Sequence, residues 1–136
     1  MLRLKWPEPK EGSNLSKTFL IVDDSETFRK SVSKSLRNFG IEVLEAEDGE
    51  KGWQVALESA GTINAIISDY NMPNLNGLDF LKKVKKSDIT KHIPFMMLSS
   101  VGKQGDMRKE ARRLGAIGWL SKPLSDVQIK HIVEKV

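Results

Sequence analysis

Four short apolar runs in this chain each end in a polar group able to do chemistry. Ile66-Ile67-Ser68 runs into Asp69 and the polar turn Tyr70-Asn71-Met72-Pro73. Phe19-Leu20-Ile21-Val22 runs into Asp23-Asp24, and Pro94-Phe95-Met96-Met97-Leu98 into Ser99-Ser100. Ala116-Ile117-Gly118-Trp119-Leu120-Ser121 runs into Lys122-Pro123. Runs of this length and composition read as buried strands. In an open α/β sheet, ligands bind outside the carboxyl ends of the strands. Three carboxylates gathered there repel one another, and at least one has its pKa raised. A divalent cation relieves that conflict. Oxygen-only ligation with positions left for water suits Mg²⁺, with Mn²⁺ as a substitute. An acid cluster, a cation, the Ser99 hydroxyl and the Lys122 amine together describe a site for a phosphoryl group. Asp69 is its carboxylate nucleophile, and Mg²⁺ and Lys122 neutralise the transferring oxygens.

Taken singly, each of these groups has an ordinary use. Asp23-Asp24 can cap a helix, Ser99 can cap a turn, and Lys122 can be a solvated lysine before a turn proline. Their joint placement depends on the elements between them. Phe28, Val32, Leu36 and Phe39 recur at helical spacing after Ser25, with Gly40 as the stop. After Asp48-Gly49 a second helix buries Trp53, Ala56, Leu57 and Ala60. A third, from Asn76-Gly77, turns Leu78, Leu81 and Val84 inward and Lys82, Lys83, Lys85 and Lys86 outward. A fourth, from Gln104 to Gly115, shows Met107, Ala111 and Leu114 on one face. The last, from Leu124 to Val136, carries Ile129, Ile132, Val133 and Val136.

Strands alternating with helices demand a mostly parallel sheet covered on both faces, with right-handed crossovers. The expected fold is a doubly wound, flavodoxin-like α/β domain with five strands. Ile41 to Ala46 alternates apolar and acidic residues, so the second strand belongs at an edge, whereas the first, third and fourth are continuously apolar. Strand order 2-1-3-4-5 satisfies this and puts Asp23, Asp24 and Asp69 in one crevice at the switch point.

The bulk composition fits a single domain. The chain has 136 residues, 39% hydrophobic and 29% charged, with no cysteine, which excludes disulfides, thiolate metal sites and cysteine catalysis. Residues 1–17, with Pro7, Pro9, Gly12 and Trp6, read as an extension or linker, and 18–136 as the domain. They lack the apolar core of a signal peptide and no run is long enough to cross a bilayer, so a cytoplasmic location is expected. The formal charge of +4 points to solvated helix faces and an acidic partner surface. No nucleic-acid recognition motif is present, so sequence-specific nucleic-acid binding is not expected.

From about Thr18 to Val136 the chain resembles the receiver domain of two-component response regulators, in particular the single-domain chemotaxis regulators. The matching pieces are Asp23-Asp24, Asp69 within Ser-Asp-Tyr-Asn-Met-Pro, Gly77, Ser99 and Lys122-Pro123. The resemblance implies that Asp69 is the phosphoacceptor, charged by a sensor histidine kinase or phosphotransfer protein. It implies metal ligation by Asp24, Asp69 and the backbone carbonyl of Asn71, with Asp23 acting through water. It makes Ser99 the switch hydroxyl, Lys122 the charge partner and Trp119 the switch aromatic, with a downstream protein read by the fourth helix, fifth strand and fifth helix. Such a protein is a phosphoacceptor rather than an enzyme acting on a separate substrate. Serine and tryptophan replace the commoner threonine and tyrosine or phenylalanine at two of these positions. Asn71 and Val101 hold the places that flank the path of a hydrolytic water. Three other readings compete. A degenerate receiver would work only as an interaction module. A Mg²⁺-dependent aspartyl phosphatase would want a second acid where Asn71 stands. A flavodoxin-type cofactor binder would want a phosphate loop where Asp23-Asp24 stand.

Overall fold

The computed structural model describes residues 17–100 and 105–136. The expectations for Trp6 and the rest of 1–16, for Val101, and for a helix start at Gln104 lie outside the described residues. The elements are β1 (Thr18–Val22), α1 (Glu26–Asn38), β2 (Glu42–Ala46), α2 (Gly49–Glu58), β3 (Ile63–Asp69), α3 (Gly77–Lys86), β4 (Phe95–Ser99), α4 (Gly105–Arg113), β5 (Gly118–Ser121) and α5 (Asp126–Lys135). The strands form one parallel sheet in the order β2-β1-β3-β4-β5, as the acidic second strand requires.

Alternation across the sheet divides the core in two. Leu20, Val22, Ile66 and Met97 face one side and pack with Ala56, Phe80, Leu81 and Val84 of α2 and α3. Phe19, Ile21, Ile67 and Leu98 face the other and pack with Val32, Leu36, Ile129 and Ile132 of α1 and α5. β1 and β4 are buried throughout, and β3 at every residue but Asn64. That burial is the physical reason their sequences are so apolar. At the β2 edge, Glu45 is ringed by Arg29 (2.9 Å), Lys30 (3.1 Å) and Arg37 (3.6 Å), a charged border of the kind that discourages a further strand.

Helix starts follow local chemistry. Ser25, Asp48, Asn76 and Ser125 each accept a backbone amide at an N-cap, and Ser125 forms a capping box with Gln128. Three side chains depart from the sequence reading. Phe39 is the C-cap residue of α1 and Leu57 lies on the outer face of α2, and both are 38% exposed. Lys85, expected on the outer face of α3, turns under the helix end. Its Nζ donates to the carbonyls of Lys91 (3.1 Å) and Ile93 (2.8 Å), and burial lowers its pKa.

Candidate functional site

The sheet delivers the expected residues to one place. Parallel register sets Val22 beside Ser68, and Asp69 beside Leu98, so the ends of β1, β3 and β4 lie level. Asp23 follows β1 and is fully buried. Asp69 ends β3 and is 5% exposed, and Ser99 ends β4 and is also buried. Asp24 is exposed at the rim. One carboxylate oxygen from each of Asp23, Asp24 and Asp69 lies within 4.8 Å of the others.

Lys122 follows β5 and reaches across β4 into this cluster. Its Nζ stands 2.7 Å from Asp23 Oδ2 and 3.3 Å from Asp69 Oδ1. The reading from sequence aimed it at Asp69, and it meets Asp23 more closely still. The ammonium also lies 4.4 Å from the centroid of the Phe28 ring, one turn into α1. The Lys122 amide donates to the Ser99 carbonyl, which ties β5's end to β4's. The Lys122–Pro123 peptide is cis.

The other atoms of Asp23 are fixed by α1. The Ser25 amide donates to its Oδ1 (2.8 Å) and Arg29 Nη1 donates to its carbonyl (2.7 Å). Oδ2 is buried and meets no hydrogen-bond donor in good geometry beyond the nearby ammonium. Asp69 Oδ1 accepts from the Tyr70 amide (3.0 Å). Burial pushes the Asp69 carboxyl up to about 6, the Asp23 charge pushes the same way, and Lys122 only partly offsets both.

This donor set fits a divalent cation. The carboxylates supply oxygen-only ligands, buried Asp23 Oδ2 has the Lys122 ammonium beside it but no hydrogen bond of good geometry, and burial together with the Asp23 charge raises the Asp69 carboxyl beyond what that one lysine offsets. Among the described residues these are the three acids close enough together to hold an ion.

The loop from Tyr70 to Asn76 carries Asn71, which is exposed beside the acids in sequence. A Cβ at position 77 would fall 2.3 Å from the Asp69 carbonyl oxygen, so only glycine lets α3 start this close to β3. Trp119 is half-buried in β5. Its ring centroid lies 5.6 Å from that of Tyr70, the neighbour of Asp69. Phe28, Arg29 and Tyr70 are site residues that the sequence reading did not assign. Arg29 is the fourth residue of α1, and its guanidinium folds back onto the Asp23 carbonyl.

The fold and the cluster define a doubly wound α/β protein with an acid-and-lysine centre at its topological switch point. The model of the response regulator receiver domain matches residues 19–134. Chemotaxis protein CheY1 of Helicobacter pylori is 36% identical over 118 residues, 86% of this chain and 94% of that protein. Chemotaxis protein CheY of Pseudomonas aeruginosa is 32% identical over 86% of this chain and 93% of its own. The solved structure of Vibrio cholerae chemotaxis protein CheY4 superimposes with a TM-score of 0.82 at 33% identity, covering 90% of this chain and 99% of that one. The chain belongs to the response regulator receiver domain family. It is a receiver of the chemotaxis-regulator type in two-component signalling, and its acidic cluster fits a phosphorylation site. Among the described residues no helix is long and apolar enough to cross a membrane.

Proposed function

We propose that this domain is a phosphoacceptor switch in which Asp69 takes a phosphoryl group from a phosphohistidine of a sensor kinase or phosphotransfer protein. The observation that carries the reading is Asp69 itself, a buried strand-end carboxylate pushed up to about 6 with Asp23 and Lys122 beside it. An Asp69 oxygen attacks phosphorus as the P–N bond breaks, and the electron pair of that bond stays with the imidazole. Asp23, Asp24, Asp69 and the Asn71 carbonyl would hold Mg²⁺, which would supply charge neutralisation when bound. Lys122 shares that work. An ammonium about 4 Å from a phosphoryl oxygen contributes on the order of 4 kcal/mol before desolvation at an effective dielectric of 20.

Phosphorylation adds roughly −1.5 to −2 of charge by analogy with phosphorylated hydroxyls. Ser99 donates to the new oxygens from the end of β4, and Lys122 turns from Asp23 toward them. Trp119 follows through its contact with Tyr70, and the α4–β5–α5 face changes for a downstream protein. The basic side chains Arg108, Lys109 and Arg112 along the α4–β5 groove favour an acidic partner surface. The working unit is 18–136, acting in the cytoplasm with 1–17 as an extension. The test is labelling with acetyl phosphate. Wild type takes up phosphate only with Mg²⁺ or Mn²⁺, and a folded Asp69→Asn variant takes up none. Equal labelling of that variant would overturn the assignment.

A further inference from the structure

Asp48 carries a carboxylate that phosphoryl transfer does not use. It is as buried as Asp69, at 5% exposure, but its two oxygens are both satisfied. Oδ1 accepts from the Lys51 amide (2.8 Å) and caps α2. Oδ2 accepts from the side-chain amide of Asn74 (2.8 Å), across 26 positions of sequence. Asn74 lies in the loop between Asp69 and α3, with φ of 70°, the left-handed region that asparagine tolerates. The neighbouring Gly49 packs on the same loop, where a Cβ would fall 2.1 Å from the Leu75 carbonyl oxygen. At the loop's far end the Gly77 amide donates to the Tyr70 carbonyl (2.7 Å). The segment carrying Asn71 is thus pinned at its end by α3 and from the side by α2.

We propose that Asp48 and Asn74 are positioning residues for the divalent cation. Their hydrogen bond fixes the loop that presents the Asn71 carbonyl, and so couples cation binding to the cap of α2. This rests on the cation site of the proposed function and extends it to residues that do not touch the ion. Asp48 also adds negative charge, which attracts a cation wherever the loop lies. Asn74 is neutral, so its amide separates positioning from charge. The coupling is reciprocal: a clamp that favours the bound cation is itself strengthened by that cation, and with it the Asp48–Lys51 cap.

The decisive variant is Asn74→Gly, which accepts the left-handed backbone and leaves Asp48 and its cap in place. Mg²⁺ is titrated into the full chain by calorimetry, and hydrogen exchange of the Lys51 amide is followed with and without Mg²⁺. In wild type, Mg²⁺ slows exchange at Lys51. In Asn74→Gly, Mg²⁺ binds about tenfold more weakly, the lower end for loss of an outer-shell partner, and Lys51 exchange no longer responds. The double variant Asp48→Asn/Asn74→Asp exchanges donor and acceptor at constant charge and recovers affinity, which a loss caused by added glycine flexibility cannot explain. Wild-type affinity in Asn74→Gly, or no recovery in the exchanged pair, overturns the positioning role while leaving the cation site standing. A wild type that binds no Mg²⁺ overturns the cation site and the inference with it.

Discussion

Asp48 and Asp69 are equally hidden from solvent, each 5% exposed and each at the carboxyl end of a strand or one turn beyond it, yet much more protein surrounds Asp69 and their carboxyls shift in opposite directions. Burial pushes both up. At Asp48 the Lys51, Asn74 and Glu50 hydrogen bonds outweigh it and hold the carboxyl below its usual range. At Asp69 the Asp23 charge adds to burial and Lys122 cannot offset the two, so the carboxyl rises to about 6. Low exposure alone therefore does not mark a reactive acid. The mark is a buried carboxylate whose desolvation and carboxylate neighbours outweigh the donors it has. Asp48 is stable because its neighbourhood is complete, and Asp69 is available because its own is not.

Lys122 separates the two carboxylates most strongly. Without Mg²⁺, Lys122→Ala leaves Asp23 and Asp69 buried with no cation, and removing one partner of a buried pair typically costs about 3 kcal/mol or more. Chemical denaturation in EDTA at neutral pH checks this, and the loss shrinks when Mg²⁺ is added or the pH falls below about 6. At Asp48 the expected effect is smaller and indifferent to pH near neutrality. Asp48→Ala removes a helix cap, which contributes about 1 kcal/mol, and leaves the Asn74 amide unpaired, for roughly 2 kcal/mol in all. Its denaturation midpoint at pH 5.5 and at pH 7.5 falls by the same amount.

Much of this contrast was legible in the sequence, for particular reasons. Asp23, Asp69, Ser99 and Lys122 each end an apolar run, and burial on both faces of the sheet turns such runs into strands whose ends coincide. Glu42 and Glu45 marked the edge strand and so the order of the sheet. The Asp48–Asn74 bond was not legible, because 26 residues separate partners whose meeting depends on a left-handed turn. Lys85 misled because helical spacing gives a direction from the axis but not where a long side chain ends. Lys122 and Phe28 meet only through the crossover of α1 over β1, which places the ring by packing rather than by pattern.

The two carboxyls also differ in how they hold a proton. Asp69 has a folded-state carboxyl near 6 against an ordinary 3.8, so the metal-free fold binds a proton more tightly than the unfolded chain. That contribution to stability is fully present below about 3.8 and is lost as pH rises through about 6. The same proton competes with the cation, so Mg²⁺ affinity falls as pH is lowered through this window, at most tenfold per pH unit for one proton. Calorimetric titrations at pH 5 and pH 7 check it, and Asp69→Asn removes the dependence.

The central claim, that Asp69 is held in a charge conflict which a cation and a phosphoryl group resolve, is tested most directly by the unfolding midpoint of Asp69→Asn in EDTA. At pH 7.5 the neutral side chain removes a buried charge and with it the conflict with Asp23. After solvent screening, a shift of this size is worth on the order of 1–2 kcal/mol, so the variant unfolds several degrees higher than wild type. Added Mg²⁺ then raises the wild-type midpoint and moves the variant much less. A variant that unfolds below wild type in EDTA, with wild type indifferent to Mg²⁺, would show that Lys122 already satisfies Asp69 and that the site holds no conflict for a cation to resolve.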